Sequence, residues 1–162
     1  MYANIDNIVQ FTTSVENLLS ENGIFVVETG YHLEQFKIKM FDYIYHEHFS
    51  YFTVGVMNYL FNKCGLEIID VEKTKPKGGS IRVVAQKQNG LREKLPSVNS
   101  IINSENNSNI YQHETYKNLS EELQELKKEL ITLLKNLKAK GNSIVAFGAS
   151  HSTTTLIYHF EL

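Results

Sequence analysis

A single cysteine, Cys64, stands in the 162 residues, so the chain has neither an internal disulfide framework nor a multi-cysteine zinc site. Apolar runs are short as well: none approaches the roughly 20 residues that a membrane-spanning helix requires. There is no marked excess of either charge. With 16 Lys and Arg against 18 Asp and Glu, the formal net charge of −2 gives no electrostatic case for nucleic acid or an anionic membrane as partner. The first residues, Met-Tyr-Ala-Asn-Ile-Asp, lack the basic region and apolar core of a secretory signal. The expectation left by these absences is a cytoplasmic globular chain about one domain in size.

What is present reads as alternating helix and strand. Asp6 or Asn7 caps a helix over about 7–21, in which Ile8, Phe11, Val15, Leu18 and Leu19 recur at helical spacing. Glu21-Asn22-Gly23 stops it, with Asn22 or Gly23 taking the left-handed conformation. Ile24 to Thr29 is a β-branched and aromatic run, read as a buried strand. Thr53 caps a helix over about 54–64 with Val54, Met57, Leu60 and Phe61 inward, stopped at Cys64-Gly65. Strands over 66–73 and 80–87 flank Lys75-Pro76-Lys77-Gly78-Gly79, a turn that makes the pair antiparallel.

Beyond Gln88 the character changes. Val98 to Asn109 is rich in Asn, Ser and charge, and reads as a linker or a loosely packed helix. Leu119, Leu123, Leu126, Leu130, Leu133, Leu134 and Leu137 then mark an amphipathic helix over about 113–140, ended by Lys140-Gly141. From Ser143 a buried strand is expected to run into Gly148-Ala149-Ser150, followed by a hydroxyl-rich helix start. Free N–H groups there suit a phosphate; a plain capped helix accounts for the same residues. The chain stops at Leu162 inside that expected helix, as a truncated chain would.

Chemistry concentrates in Phe41-Asp-Tyr-Ile-Tyr-His-Glu-His-Phe-Ser-Tyr-Phe52. Imidazoles, carboxylates and phenols interleaved with apolar rings can hold a proton acceptor and hydrogen-bond donors in a dry pocket. An aromatic loop packed on a core, its polar groups met by backbone, is the plainer reading. A metal site at His46 and His48 is a third, with His32 and Glu28 as the only close additional ligands.

Tyr45-His46-Glu47-His48, preceded by Phe41-Asp42 and followed by Ser50-Tyr51-Phe52, resembles the signature of the sugar C-methyltransferases. These S-adenosylmethionine-dependent enzymes methylate a carbon of a nucleotide-linked keto-sugar. Gly23-Ile-Phe-Val-Val-Glu28, Gly78-Gly79-Ser80-Ile81-Arg82-Val83 and Phe147-Gly148-Ala149-Ser150 agree with the family in order and spacing, so the resemblance covers essentially the whole chain.

The resemblance implies an α/β fold: a partial Rossmann-like methyltransferase sheet with an antiparallel last strand, a long linking helix, and the start of a second Rossmann-like domain. Residues 1–88 would be the C-terminal half of the methyltransferase domain, 89–141 the linker and helix, and 142–162 the start of the C-terminal domain. S-adenosylmethionine is the implied cofactor, with its main glycine-rich loop outside this chain. Zinc is implied only in an N-terminal module, also outside it, and activity of this chain alone is not expected.

His48 is the implied general base, with Tyr45 and Glu47 beside it. Gly78, Gly79, Ser80 and Arg82 are implied at the substrate, Arg82 on its phosphate, and Ser150 and His151 toward its nucleotide end. Family members often carry a second active-site histidine where this chain has Asn4. Half a sheet leaves an apolar edge and face, and with them an expectation of self-association. A different class of function is an interaction module that pairs through the leucine helix.

Overall fold

The computed structural model describes residues 1–148 and 150–162. The chain divides into two compact units, Met1–Ile38 with His46–Ile110, and Lys39–Tyr45 with Tyr111–Leu162.

In the first unit a helix, α1 (Ile8–Leu18), precedes the strand β1 (Phe25–Gly30) and the short helix α2 (His32–Lys37). After residue 46 come α3 (Val54–Lys63), β2 (Leu66–Thr74), β3 (Ser80–Lys87) and α4 (Pro96–Asn107). The strand order is β1-β3-β2, with β3 antiparallel to both neighbours. The expected strands are therefore present in one sheet, and the last strand is antiparallel as expected; β1, expected to be buried, turns one face outward instead, with Val26 and the preceding Ile24 exposed. Val83 is in register with Val27 on one side and Val71 on the other. That face of the sheet, with Ile68, Ile81 and Ala85, is buried against Val54, Met57, Leu60 and Phe61 of α3 and against Tyr2, Tyr31 and Phe52.

Local chemistry explains most boundaries. The Asn7 side chain accepts from the Gln10 N–H and starts α1, and the Thr53 side chain accepts from Val56 N–H and starts α3. Gly65, at φ +80°, ends α3. The end of α1 departs from expectation: the helix stops at Leu18, and neither Asn22 nor Gly23 is left-handed. Leu19 is already extended, and a bond from Gly23 N–H to the Ser20 carbonyl (2.9 Å) makes the reversal instead. Leu18, expected inward, is 86% exposed because the helix ends beside it.

The segment expected to be a linker or loose helix is a well-anchored one. Pro96 opens α4, Val98 is fully buried, and Ile101 and Ile102 pack on the core. Glu105 is wholly buried. Its carboxylate accepts from the N–H groups of Val54 (2.7 Å) and Gly55 (2.8 Å) and from the Tyr31 hydroxyl (2.9 Å). The first N–H groups of a helix have no partner within it and attract negative charge, so Glu105 supplies what α3 lacks.

The second unit holds α5 (His113–Ala139) and α6 (His151–Phe160). Gly141, at φ +81°, follows the end of α5. Among the described residues of this unit Leu123 and Phe160 are the buried apolar ones, with Phe41 stacked on Phe160 at 5.1 Å. Lys127–Glu161 (2.7 Å), with its lysine largely covered, and the exposed Lys39–Glu122 (3.0 Å) add ion pairs. The strand expected from Ser143 does not form: residues 142–148 carry no regular structure, Val145 is 87% exposed and Phe147 is fully exposed. An apolar run becomes a strand only beside another strand that takes up its N–H and C=O groups, and no such pairing is made there. Ala149, in the expected phosphate-binding turn, lies outside the described residues.

Among the described residues no helix is long and apolar enough to cross a membrane.

Candidate functional site

The end of β1 organises the first unit's polar chemistry. Tyr31 forms a parallel bridge with Phe52, and His32 N–H donates to the Phe52 carbonyl at 2.9 Å. On the other side, the N–H groups of Phe49 and Ser50 donate to the Ala3 carbonyl at 2.8 and 3.3 Å. The stretch after His48 is thus pinned between the N-terminal turn Tyr2–Asn4 and the start of α2.

His48 is half-buried, and its ring meets Tyr51 edge-on, 6.1 Å between centroids at 80°. His46 and Glu47 are outward: their side chains are 76% and 46% exposed, with His46 Nε2 at 4.0 Å from Glu47 Oε1. The two histidines of one tetrapeptide therefore occupy different environments. An imidazole screened from bulk water can act selectively on a bound group, whereas one in open solvent has no such advantage. His32 is also half-buried, and burial pulls its imidazole below its ordinary pKa, which favours the neutral form. Among the described residues no group of three or more His, Cys, Asp or Glu is placed to hold a metal ion.

Tyr45 belongs to the second unit, where its ring lies 5.5 Å from His151 and 5.9 Å from Tyr43. The pairing of Tyr45 with His151 joins two predicted residues that are far apart in the chain. Ser150 is the N-cap of α6; its Oγ accepts from Thr153 N–H at 3.3 Å and is 3.0 Å from the Thr153 hydroxyl.

The hairpin residues have protein neighbours. At Gly79, with φ +116°, an added Cβ would lie 2.6 Å from Cβ of Glu34, so glycine is required by the approach of α2. The Gly79 carbonyl accepts from Tyr31 N–H at 3.0 Å, and the buried Ser80 hydroxyl donates to the Pro76 carbonyl at 2.9 Å. Gly78, at φ +77°, completes the turn Pro76–Gly78. Arg82 lies across the sheet between two carboxylates: Nε and Nη2 donate to Glu28 (3.1 and 2.8 Å) and Nη1 to Glu72 (2.9 Å). Hydrogen bonds and charge from Glu28, then the charge of Glu72, hold its pKa above the ordinary arginine value. A phosphate would have to compete with both.

Residues 75–162, more than half of the chain, match the family of the C-methyltransferase C-terminal domain. The chain belongs to that family. It is also 31% identical over 156 residues to the C-methyltransferase NovU of Streptomyces niveus. That alignment takes in 96% of this chain and 37% of NovU, and so reaches the 41–52 stretch that the family match leaves out.

Methyltransferase membership implies S-adenosylmethionine as methyl donor. One hollow does not suit it: on α5, lined by Asn118, Glu121, Glu122 and Glu125, it is open to solvent, and three glutamates would repel the carboxylate of the donor's methionine end.

Sequence reasoning singled out His48 but did not place Tyr51 against it, nor His32 against Tyr51. The available signal was position: His32 stands two residues after Gly30, the last residue of β1, and strand ends are where α/β sheets gather ligand-facing residues.

Proposed function

We propose that this chain is the proton-abstracting part of a C-methyltransferase acting on a nucleotide-linked keto-sugar. His48 accepts the proton from the ring carbon next to the ketone, and the carbon's electron pair moves to the carbonyl oxygen as an enolate. Tyr45, through its phenol, donates a hydrogen bond to that oxygen, and Glu47 orients an imidazole or binds a sugar hydroxyl. S-adenosylmethionine supplies the methyl group in this family's chemistry. Gly78, Gly79, Ser80, Arg82, Ser150 and His151 are the proposed substrate contacts, and the Rossmann-like division at about residues 88 and 141 belongs to the same reading. The observation that carries it is the half-buried His48, next to an exposed His46, in a chain 31% identical to a C-methyltransferase.

The test is exchange of the proton next to the ketone into deuterated water, followed with methyl transfer, on this chain joined to a donor-binding partner segment. His48→Ala is expected to lower both by roughly 10² to 10⁴, with substrate affinity much less changed. His46→Ala is expected to retain most activity. Normal exchange in His48→Ala with none in His46→Ala would reverse the assignment. Arg82→Ala is expected to weaken sugar-nucleotide binding; unchanged affinity would remove Arg82 from the site.

One observation favours a second reading, an interaction module that pairs with a second copy. Leu126 and Leu133 of the leucine stripe stay 41% and 54% exposed. A monodisperse monomer by sedimentation, unchanged with concentration, would count against it and against self-association through the sheet.

A further inference from the structure

Four rings from two separate segments of the first unit form a continuous row. Phe36 meets His32 at 6.3 Å and 67°, His32 meets Tyr51 at 6.1 Å and 57°, and Tyr51 meets His48 at 6.1 Å and 80°. Phe36 and His32 come from α2, whereas Tyr51 and His48 come from the pinned stretch before α3. The backbone under the row is fixed at both segments, by His32 N–H on the Phe52 carbonyl and by Phe49 and Ser50 on Ala3.

We propose that Tyr51 is the positioning residue for His48, and that His32, braced by Phe36, sets the position of Tyr51. The role rests on His48 being the base; the ring row itself does not. A base works only if its nitrogen is aimed at the proton it removes, and a displacement of about 1 Å in such a group can cost on the order of 10² in rate. An imidazole at the start of a loop has several side-chain rotamers available, and an edge-on ring at contact distance removes most of them. His32 suits the backing position because burial favours its neutral form. It would add no positive charge to the row as His48 takes up its proton.

The experiment is carbon-detected NMR of the histidine rings in this 162-residue chain, with nuclear Overhauser contacts to the tyrosine rings. Tyr51 ring protons are expected to show contacts to both the His32 and the His48 imidazole. Tyr51→Leu is expected to move the His48 ring resonances, Tyr51→Phe to leave them near their original place, and His32→Asn to move those of Tyr51 and, through it, His48. Should Tyr51→Leu not fold, the contacts in the unsubstituted chain decide: their absence at either imidazole overturns the proposal. In the joined enzyme, Tyr51→Leu is expected to lower kcat about 10²-fold with KM little moved, and Tyr51→Phe to restore most of it. Equal losses in the two variants, or a loss confined to KM, would overturn the positioning role. An intact ring row with a fully active His48→Ala would instead sink the base assignment and leave the geometry standing.

Discussion

The two units bury their apolar residues in different ways. The first places a sheet face, one side of α3 and the rings of Tyr2, Tyr31 and Phe52 into one cluster, including fully buried Phe61, Met57, Ile68 and Ile81. The second has a longer helix and more leucines, yet among its described residues only Leu123 and Phe160 are buried apolar ones, while Leu126, Leu133 and Phe147 remain exposed. An amphipathic stripe is thus a capacity for burial, and what realises it is a facing surface of complementary shape. In the first unit β1, β2 and β3 provide that surface for α3.

The contrast is sharpest at paired substitutions. Phe61→Ala is expected to destabilise the first unit by about 3–5 kcal/mol, because a fully buried ring leaves a cavity. Leu133→Ala is expected to change stability by no more than about 0.5 kcal/mol. Native-state hydrogen exchange can read both, since it reports each segment separately. Comparable losses of protection in the two variants would erase the difference between the units.

A second test asks whether the first unit depends on its polar anchor as well as on its core. Glu105→Ala removes the acceptor for Val54 N–H, Gly55 N–H and the Tyr31 hydroxyl at once. The expected loss is about 3 kcal/mol, with the start of α3 and the end of β1 losing protection first. Unchanged exchange at Val54 and Gly55 would show that these groups find another acceptor.

The smallest effect concerns pH. The ordinary histidine pKa is 6.5, and His32 lies below it in the folded chain because of burial. Between those two values the unfolded chain holds a proton that the folded one does not, so stability rises with pH across that interval. The His32 contribution is therefore complete above about pH 6.5. It is lost as the pH falls toward the folded value. The difference in denaturation midpoint between the unsubstituted chain and His32→Gln is expected to follow that curve; a difference independent of pH would exclude the effect.

Elements whose signal is local were legible in the sequence. Asn7 and Thr53 announce helices, Gly65 ends one, and the Pro76 to Gly79 turn between β-branched runs gives the hairpin. α4 was obscured because a carboxylate anchors it as firmly as its few apolar residues do, and a buried Glu105 looks like any other glutamate in a polar stretch. Ser143 to Phe147 misled in the opposite direction: its apolar run carries no information on whether a neighbouring strand exists. At the candidate site the composition of Tyr45 to His48 drew attention to that tetrapeptide. Which of its rings meet Tyr51 and which meet His151 depends on residues brought together by the fold.

Glu105 also sets an order of events during synthesis. Its partners Val54 and Tyr31 lie 51 and 74 residues earlier in the chain, so both have left the ribosome well before the carboxylate that completes them. At about 5–20 residues per second, the start of α3 waits several seconds with its N–H groups in water. The β2–β3 hairpin closes over a short loop, so its ladder pairs early, before Leu95 and Ser97 dock on β2. A pause in translation after Lys87 has left the ribosome and before Glu105 has would therefore hold the nascent chain with a formed hairpin and an unlatched α3, the species most exposed to proteases and chaperones.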